Sequence, residues 1–266
     1  MSDATPAAAE PTAEPIAESA AESVAESAES TVDASASVNP VLSKLNPSLN
    51  IVILNYRTPE LTVACLRSLQ PEVSARPETQ VTVVDNDSQD GSAEKIAGAI
   101  AIESWSDWVT FLPQSRNGGY AFGNNAAIRP ALASENPPDY FLLLNPDTVV
   151  RPGALQALVD FMEQHPEAGM AGSRLEEPDE TVQCSAFRFP SLCSELDDGL
   201  RLGLVTKLIS EKIVPILPVP TENCQVDWVA GASMIVRRQV FETAGLMDEQ
   251  YFLYFEEVDF CLAAQR

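Results

Sequence analysis

Two stretches of this 266-residue chain place carboxylates directly after apolar runs. In VVDNDSQDGS, residues 83–92, Asp85 and Asp87 could accept hydrogen bonds from nucleobase N–H groups or ribose hydroxyls. In LLLNPDTVVRPG, residues 142–153, Asp147 could hold Mg²⁺ or Mn²⁺, whose other ligands would be phosphate oxygens and water. The alternative for each stretch is an Asx or Pro-Asp turn, and for either motif taken alone that turn is the better interpretation.

A stretch rich in glycine and asparagine, RNGGYAFGNN at residues 116–125, has the composition of a loop that a ligand approaches closely. Gly118, Gly119 and Gly123 have no Cβ, so the backbone there can come near a bound molecule. A helix that begins near Tyr120 would direct free N–H groups at an anion such as a diphosphate. The spacing matches neither GxGxxG nor GxxxxGK[ST], which argues against dinucleotide and P-loop sites. A plain strand-to-helix turn explains the stretch about as well.

The segment MDEQYFLYFEEVDFCL, residues 247–262, joins aromatic residues to the acids Glu256, Glu257 and Asp259. One of these acids could act as a general base beside an aromatic wall that binds sugar rings. The alternative is that acids in a first helical turn complement the helix dipole. His165, the one histidine, follows a predicted helix in the manner of a capping residue. The sequence therefore disfavours Ser-His-Asp and Cys-His hydrolases, which need a correctly placed histidine.

Apolar runs alternate with helical patterns through the first part of the domain, and these elements must position the motifs. The predicted strands are Asn50–Leu54, Gln80–Val84, Val109–Leu112 and Tyr140–Leu144. The helical patterns that follow them are Glu60–Leu69, Ala93–Ala101, Ala121–Ala133 and Gly153–His165. Repeated βα units predict an α/β fold with a mostly parallel sheet flanked by helices. Ligands bind such sheets at the carboxyl ends of the strands, where the polar clusters of this chain lie.

The rest of the chain has a less regular pattern. Thr181–Phe189, Val226–Val229 and Ser233–Val236 are predicted as strands. The predicted helices are the amphipathic segment Ser194–Ile213 and the two later segments Gln239–Ala244 and Phe255–Gln265. No C-cap, glycine or proline follows the last helix, so we expect the domain to be truncated at its C-terminal end.

The composition is strongly acidic, with 16 Lys and Arg against 39 Asp and Glu and a net charge of −23. Residues 1–45 are rich in Ala, Glu and Ser, and we predict that they form a disordered acidic tail before one domain, residues 46–266. The acidity excludes a general nucleic-acid binder, which needs a basic surface. Five cysteines without a CxxC pair disfavour a disulfide framework or structural zinc and favour a reducing, cytoplasmic location.

Taken together, the motifs resemble those of the family 2 glycosyltransferases, which have the GT-A fold, and in particular those of bacterial rhamnosyltransferase-like members. Each motif alone is weak, but their ordered set is specific, and the resemblance covers residues 49–266. The matching segments are Asn55-Tyr56, Val84–Ser92, Asn117–Asn125, Leu144–Asp147, Trp228–Ala232, Gly245–Glu249 and Phe252–Cys261. The resemblance implies the GT-A-type central sheet of nucleotide-diphospho-sugar transferases.

The resemblance also implies a reaction: inverting transfer of a sugar, with rhamnose as one candidate, in cell-surface polysaccharide synthesis. The donor would be a dTDP-, UDP- or GDP-sugar, and the acceptor a hydroxyl of a saccharide or a polyprenyl-linked saccharide. Asp147 would hold Mg²⁺ or Mn²⁺, which would neutralise the departing nucleoside diphosphate. Glu257 would be the base, with Glu256 and Asp259 as alternatives because the family's Glu-Asp pair is Glu-Glu here.

The binding residues follow from the same resemblance. Donor binding is assigned to Asn55, Tyr56, Asp85, Asp87, Asn117, Gly118, Gly119, Asn124, Asn125 and Asn145. Acceptor binding is assigned to Trp228, Gly231, Asp248 and Tyr254.

Two other classes of function stay open. A chain without the C-terminal part of such an enzyme could be a non-catalytic protein that binds sugar nucleotides or partner proteins. A pyrophosphorylase-type transferase would show a glycine-rich loop with Arg or Lys after the first strand, and residues 55–61 contain no glycine. No apolar run approaches the about 20 residues of a membrane-spanning helix, so we expect at most peripheral contact with the inner face of the membrane.

Overall fold

A computed structural model describes residues 46–191 and 214–266. The predicted tail, residues 1–45, and the predicted helix Ser194–Ile213 lie outside the described residues. In the described part of the chain the strands are β1 (Leu49–Asn55), β2 (Thr79–Asp85), β3 (Val109–Pro113), β4 (Tyr140–Leu144), β5 (Met170–Gly172), β6 (Leu175–Glu176), β7 (Val182–Gln183), β8 (Ala186–Phe187), β9 (Trp228–Val229) and β10 (Ser233–Arg237). The helices are α1 (Pro59–Ala75), α2 (Ser92–Ile102), α3 (Gly119–Leu132), α4 (Ala154–Gln164), α5 (Arg238–Ala244) and α6 (Glu256–Ala264).

The central sheet of the described residues has six strands in the spatial order β3-β2-β1-β4-β10-β5. Strands β1 to β4 are parallel, and Ile51 of β1 pairs with Val81 of β2 on one side and Leu142 of β4 on the other. Strand β10 is antiparallel to both of its neighbours, so that Ile235 lies opposite Leu142. The predicted α/β class with a mostly parallel sheet is therefore confirmed.

Apolar side chains cover both faces of this sheet, because neighbouring residues of a strand point to opposite faces. Ile51 and Ile53 belong to the core cluster that contains buried residues of α1, α2 and α4. Val52, which lies between them, belongs to the cluster that contains buried residues of α3, α5 and α6. Helices on both faces explain why the parallel strands read as continuous apolar runs instead of alternating patterns.

Helix α1 is longer than its sequence pattern predicts. The predicted helical pattern ended at Leu69, two residues before Pro71, and a proline inside a helix removes one helical hydrogen bond. The helix continues to Ala75, with Glu72 and Val73 buried beyond the proline. Packing of this last turn against the core outweighs the local cost, which the sequence pattern does not reveal.

The segment Thr181–Phe189 was predicted as one strand, and this prediction was wrong. Two strands of two residues each, β7 and β8, occupy it and belong to different two-stranded sheets. Strand β7 pairs with the nearby β6, whereas β8 pairs with the distant β9, and local alternation does not encode this division. No helix in residues 46–191 and 214–266 is long and apolar enough to cross a membrane.

Candidate active site

The carboxyl edge of the parallel strands brings the first polar clusters together. Asn55 at the end of β1 lies opposite Asp85 at the end of β2, and β4 ends beside them at Leu144. Just beyond β4, the N–H of Asn145 donates to the carbonyl of Ala232, 2.9 Å away, which joins this loop to the segment before β10. The edge predicted from the sequence to bind ligands therefore gathers residues 55–58, 85–90 and 145–148.

Asn55 and Asp85 form a hydrogen-bonded pair below this edge. Asn55 Nδ2 donates to Asp85 Oδ1 at 2.6 Å, and Ser88 donates to the same carboxylate from its hydroxyl (2.6 Å) and its N–H (3.1 Å). Asn55 Oδ1 accepts from Thr62 Oγ1 at 2.9 Å. Asn55 is 0% exposed and Asp85 is 3% exposed. In the structure the polar atoms of both residues connect the ends of β1 and β2 to the start of α1. Their direct contact with the donor stays a prediction.

Tyr56 and Asp87 lie nearer the surface of the same edge. The Tyr56 ring is exposed, with the Arg57 guanidinium 5.0 Å from its centroid. Asp87 is half-buried, has a left-handed backbone (φ 58°), and its Oδ2 accepts a 2.8 Å hydrogen bond from Gln89. These two side chains are available to a ligand, in contrast to their buried neighbours Asn55 and Asp85.

Asn86, which the sequence analysis did not select, fixes the turn before α3. Its Nδ2 donates to Asn117 Oδ1 (2.9 Å) and to the carbonyl of Gly119 (3.1 Å). Its Oδ1 accepts from the N–H of Gly118 at 3.4 Å. Asn86 is buried, and a buried amide with partners on one turn holds that turn in place. Its place inside the stretch VVDNDSQDGS was the signal in the sequence that could have pointed to this role.

The glycines of this turn come close to the protein's own atoms. Gly119 has φ +89°, and a Cβ there would overlap the carbonyl oxygen of Phe252. The N–H of Gly119 donates to Asn117 Oδ1, and the N–H of Tyr120 donates to Phe252, both at 3.0 Å. The N–H groups of Gly119 and Tyr120 are therefore bonded within the protein and are not free for an anion.

Asn124 and Asn125 are both buried within α3. Asn124 Nδ2 donates to the carbonyl of Tyr120 one turn earlier, at 3.0 Å. Asn125 Nδ2 donates to the carbonyl of Met247 at 2.8 Å and to Glu249 Oε1 at 3.1 Å. These contacts place Asn125 between α3 and the Gly245–Glu249 segment.

Asp147 is an exposed carboxylate in the turn after β4. It has no hydrogen bond or ion pair with any residue of the described ranges. In the same ranges no three His, Cys, Asp or Glu side chains are grouped to hold a metal. The turn itself is braced, because Thr148 Oγ1 donates to the Asn145 carbonyl at 2.7 Å and the N–H of Val150 donates to Ser68 Oγ at 3.0 Å.

The three predicted base candidates occupy the first turn of α6. Glu256 is 3% exposed, and its Oε2 has no hydrogen-bond partner among the described residues. Glu257 Oε2 is buried and equally without a partner in that part of the chain. Burial raises the pKa of Glu257, and the adjacent Glu256 charge raises it further, against a backbone hydrogen bond that lowers it. Asp259 is half-buried, one turn into the helix.

Tyr120 connects the donor-side turn to the acceptor-side segment, and sequence reasoning gave it no role of its own. Its hydroxyl donates to the carbonyl of Gly231 at 2.8 Å. Burial raises the pKa of Tyr120 far above its ordinary value, and the nearby charges of Glu257 and Glu256 raise it further. The charges of the two predicted base candidates therefore act on this hydroxyl.

The other predicted acceptor residues differ in how accessible they are. Trp228 donates from Nε1 to the Arg188 carbonyl at 2.9 Å, and its ring stacks on Phe187 with centroids 4.1 Å apart. Asp248 accepts from the N–H of Gln250 at 2.9 Å. Tyr254 is 71% exposed in a left-handed backbone conformation.

Tyr254 is part of an exposed apolar loop that immediately precedes α6. The loop consists of Phe252, Leu253, Tyr254 and Phe255, each of which is more than half exposed. The Phe252 carbonyl accepts from the N–H of Tyr120, and the Phe255 carbonyl accepts from the N–H of Asp259. These two bonds hold the ends of the loop. The aromatic residues predicted to form a wall beside the acids therefore have their side chains at the surface.

A cavity of about 930 Å³ lies apart from the Asp85 and Asp147 loops. It is lined by α4, β5 and residues 219–229, and it reaches Cys261 of α6. Neither Asp147 nor any of the carboxylates on α6 lines it. The strand edge therefore holds the predicted donor residues, and of all the predicted site residues only Trp228 lines the cavity.

Known proteins are similar to most of this chain in amino-acid sequence. The chain is 30% identical over 194 residues to the N-acetylglucosaminyl-diphospho-decaprenol L-rhamnosyltransferase of Mycobacterium tuberculosis, a match that covers 67% of this chain and 58% of the relative. It is 28% identical over 221 residues to the low-salt glycan biosynthesis hexosyltransferase Agl10 of Haloferax volcanii, with 82% of this chain and 62% of the relative covered. The chain thus spans about three fifths of the length of these relatives.

Solved structures have a similar fold. The mannosyltransferase PcManGT of Pyrobaculum calidifontis, in complex with GDP-Man and Mn²⁺, superposes with a TM-score of 0.54 at 15% identity over 81% of this chain and 51% of that one. TarS of Staphylococcus aureus, residues 1–349, superposes with a TM-score of 0.54 at 14% identity over 82% and 55%. These similarities confirm the predicted GT-A fold class.

The match that decides the family is independent of any single relative. The model of the family described as Glycosyl transferase family 2 matches residues 50–242. This range runs from β1 into α5 and includes the Asp85, Asn117 and Asp147 motifs. The chain therefore belongs to glycosyl transferase family 2.

Proposed function

We propose that this chain is an inverting glycosyltransferase that moves a sugar from a nucleoside-diphosphate donor to a hydroxyl of a saccharide or lipid-linked acceptor. The observation that carries the proposal is the pair of unlike carboxylates around one edge of the sheet. Asp147 is exposed and free of partners in the described chain, whereas the Glu257 carboxyl has a pKa raised mainly by burial. Two carboxyl groups in contrasting environments are suited to different tasks, one to a cation and one to a proton.

Two short hydrogen bonds lead from the loop that carries Asp147 to Tyr120. Asn145, two residues before Asp147, bonds to Ala232, and the neighbouring Gly231 accepts from Tyr120. Tyr120 in turn lies near Glu257. A donor held at Asp147 and an acceptor held at residues 228–232 would therefore meet close to Glu257.

The donor side fits a divalent cation. An exposed carboxylate without a protein partner is a hard oxygen ligand of the type that Mg²⁺ and Mn²⁺ take, while diphosphate and water fill the remaining positions. Bound there, the cation would stabilise charge on the leaving nucleoside diphosphate. We assign Asp147 to it, with Asn145 beside it. Tyr56, Asp87 and Asn117 would contact the nucleotide.

The buried residues of the donor side would act through these accessible ones. Asn55, Asp85 and Asn86 hold the ends of β1 and β2 and the turn before α3. We propose that they position Tyr56, Asp87 and Asn117 without touching the nucleotide, and that Gly118, Gly119, Asn124 and Asn125 shape the same region from within α3.

On the acceptor side, Glu257 would remove the proton from the attacking hydroxyl. The acceptor oxygen forms a bond to the anomeric carbon while the bond from that carbon to the diphosphate oxygen breaks in line, which inverts the configuration. A carboxyl whose pKa is raised is a stronger base than an ordinary carboxylate once it is ionised. Glu256 and Asp259 remain the alternative bases, and Trp228, Gly231, Asp248 and Tyr254 would bind the acceptor.

Relatives suggest which substrates to test first. The Mycobacterium tuberculosis relative is named for transfer of rhamnose to a decaprenol-linked sugar, and the solved neighbours contain GDP-Man or UDP-GlcNAc. We therefore propose a dTDP-, UDP- or GDP-sugar as donor, rhamnose as one candidate sugar and a polyprenyl-linked saccharide as the leading acceptor class.

The test is calorimetric titration of the chain with dTDP-, UDP- and GDP-sugars, first with Mn²⁺ and then with EDTA. We expect one nucleotide class to bind, and to lose most of its affinity when EDTA is added or when Asp147 is changed to Asn. Asp107→Asn is the matched control, because Asp107 is an exposed carboxylate just before β3, at the opposite edge of the sheet. Absence of binding to all three classes would refute the proposal.

The catalytic assignment needs a separate variant. Glu257→Gln should lower turnover by about 10²- to 10⁴-fold, the range for loss of a general base, while donor affinity stays within about twofold. Glu94→Gln, on the exposed side of α2, is its control. If Glu257→Gln has unchanged turnover and the amide variant of Glu256 or Asp259 is inactive, that other residue is the general base.

A further inference from the structure

Tyr120 contacts both sides of the candidate active site through two different atoms. Its backbone N–H donates to the carbonyl of Phe252, in the exposed apolar loop before α6, at 3.0 Å. Its side-chain hydroxyl donates to the carbonyl of Gly231, 111 residues away in the sequence, at 2.8 Å. One residue at the start of α3 thus connects the donor-side turn, the exposed apolar loop before α6 and the acceptor-side segment.

The second partner is shaped to receive this hydroxyl. A Cβ on Gly231 would lie 3.0 Å from the Tyr120 hydroxyl oxygen, closer than side chains ordinarily approach. Gly231 is half-buried, and its carbonyl therefore loses part of its hydration when the chain folds. A half-buried carbonyl with one side-chain donor depends on that donor.

Two acidic side chains act on this hydroxyl. Glu256 and Glu257 lie near it, and each has a buried Oε2 without a hydrogen-bond partner among the described residues. The hydroxyl proton is directed to Gly231, so it does not neutralise either carboxylate. The contact thereby fixes the acceptor-side backbone to the start of α3 without occupying the Oε2 atom of either acid.

We infer that Tyr120 is a positioning residue whose hydroxyl holds the Trp228–Ala232 segment against the start of α3, and so sets where an acceptor lies relative to the donor and Glu257. The part of the inference that concerns the acceptor, the donor and Glu257 rests on the proposed function. The hydrogen bond that holds residues 228–232 to Tyr120, called the tether below, rests on the contacts alone.

Tyr120→Phe separates the two connections, because it removes the hydroxyl and keeps both the ring and the backbone N–H. Native-state hydrogen exchange should show amides of residues 228–232 exchanging about fivefold faster or more, the ratio expected for the net loss of one hydrogen bond. The amide of Tyr120, bonded to Phe252, should keep its wild-type rate. Equal exchange of residues 228–232 in both proteins would overturn the tether.

The functional readout uses the nucleotide that binds the wild type among UDP, GDP and dTDP with Mn²⁺. In Tyr120→Phe its affinity should stay within about twofold, while the acceptor KM rises or turnover falls by about fivefold or more. Gly231→Ala, which crowds the hydroxyl from the opposite side, should show the same split. A variant with parallel losses in nucleotide affinity and turnover would contradict a positioning role and indicate general destabilisation.

Tyr140→Phe is the matched control, since it also removes a buried tyrosine hydroxyl, one that donates to Glu163 and accepts from Arg237. It should leave the exchange of residues 228–232 and the kinetic constants unchanged. If the wild type binds no nucleotide, the proposed function fails, and the exchange experiment still decides whether the tether exists. If the wild type is active and Tyr120→Phe matches it in both readouts, the inference itself fails.

Discussion

The carboxylate of Glu72, near the end of α1, caps the N-terminus of a different helix. Its Oε1 accepts from the N–H of Gly153 at 2.8 Å, and its Oε2 accepts from the N–H of Leu155 at 3.2 Å. These N–H groups lie at the start of α4, where helical donors have no intrahelical partner. Glu72 is 8% exposed, so water cannot easily replace it. We predict that this side chain determines the stability of the loop that carries Asp147.

The contacts set the size of the effect. Hydrogen bonds to a charged group contribute about 1.5–3 kcal/mol each, and an anion at a helix N-terminus adds about 0.3–1 kcal/mol. The two bonds share one carboxylate and the Leu155 bond is long, so they do not add fully. We therefore expect Glu72→Ala to lower the free energy of unfolding by about 3 kcal/mol. Glu72→Gln keeps one acceptor oxygen and should lose about half as much.

Urea unfolding measures this directly, from the shift in midpoint at constant slope. Glu60→Gln is the control, since Glu60 lies in the first turn of the same helix and forms an exposed ion pair with Lys95. It should shift the midpoint far less than either Glu72 variant. A loss below about 1 kcal/mol in Glu72→Ala would refute the capping argument, because it would mean that water satisfies both N–H groups.

Three further changes follow from the same contacts. Gly119→Ala should lower stability by more than about 2 kcal/mol, because φ is positive and its Cβ would meet the Phe252 carbonyl, and thermal unfolding measures the loss. Gly98→Ala, inside α2 with open space around it, should instead raise stability by about 0.5–1 kcal/mol, and the opposite sign would contradict the reasoning. For Glu257, the raised pKa means that the neutral carboxyl favours the folded state. This stabilisation is full below the ordinary value of 4.5 and is lost as pH rises through the folded pKa. Glu257→Gln should therefore gain stability relative to wild type as pH increases from about 4.5 to 7, and a constant difference in urea midpoints over that range would contradict it.

Local sequence patterns determined the first four strands of this protein and the helices between them. Tyr140–Leu144 was predicted with the bounds that the structure has, and Asn50–Leu54 differs from β1 by one residue at each end. Buried parallel strands need apolar side chains on both faces, so they appear in the sequence as runs of consecutive apolar residues. The same logic placed the Asp85, Asn117 and Asp147 motifs at one edge of the sheet, because polar residues collect where such strands end.

The roles of individual polar residues depended on contacts between distant segments. Asn55 and Asp85 were predicted to contact the donor, yet they bond to each other and lie below the surface. Gly119 was predicted to make room for a ligand, and the Phe252 carbonyl occupies that room. A residue type and a local pattern state what a side chain can bind but do not state which segment will arrive beside it.

The tertiary structure alone decided the second half of the site. Strand β10 enters the sheet antiparallel between β4 and β5, which brings residues 228–232 to the edge where β4 ends. The Tyr120 hydroxyl then reaches Gly231, and Glu72 of α1 reaches the first turn of α4. The sequence by itself therefore determined the layers, the strand ends and the family. Chain packing determined which polar groups are buried, which pair and which stay free for chemistry. Those outcomes depend on contacts between residues 81 and 111 positions apart, which no local pattern encodes.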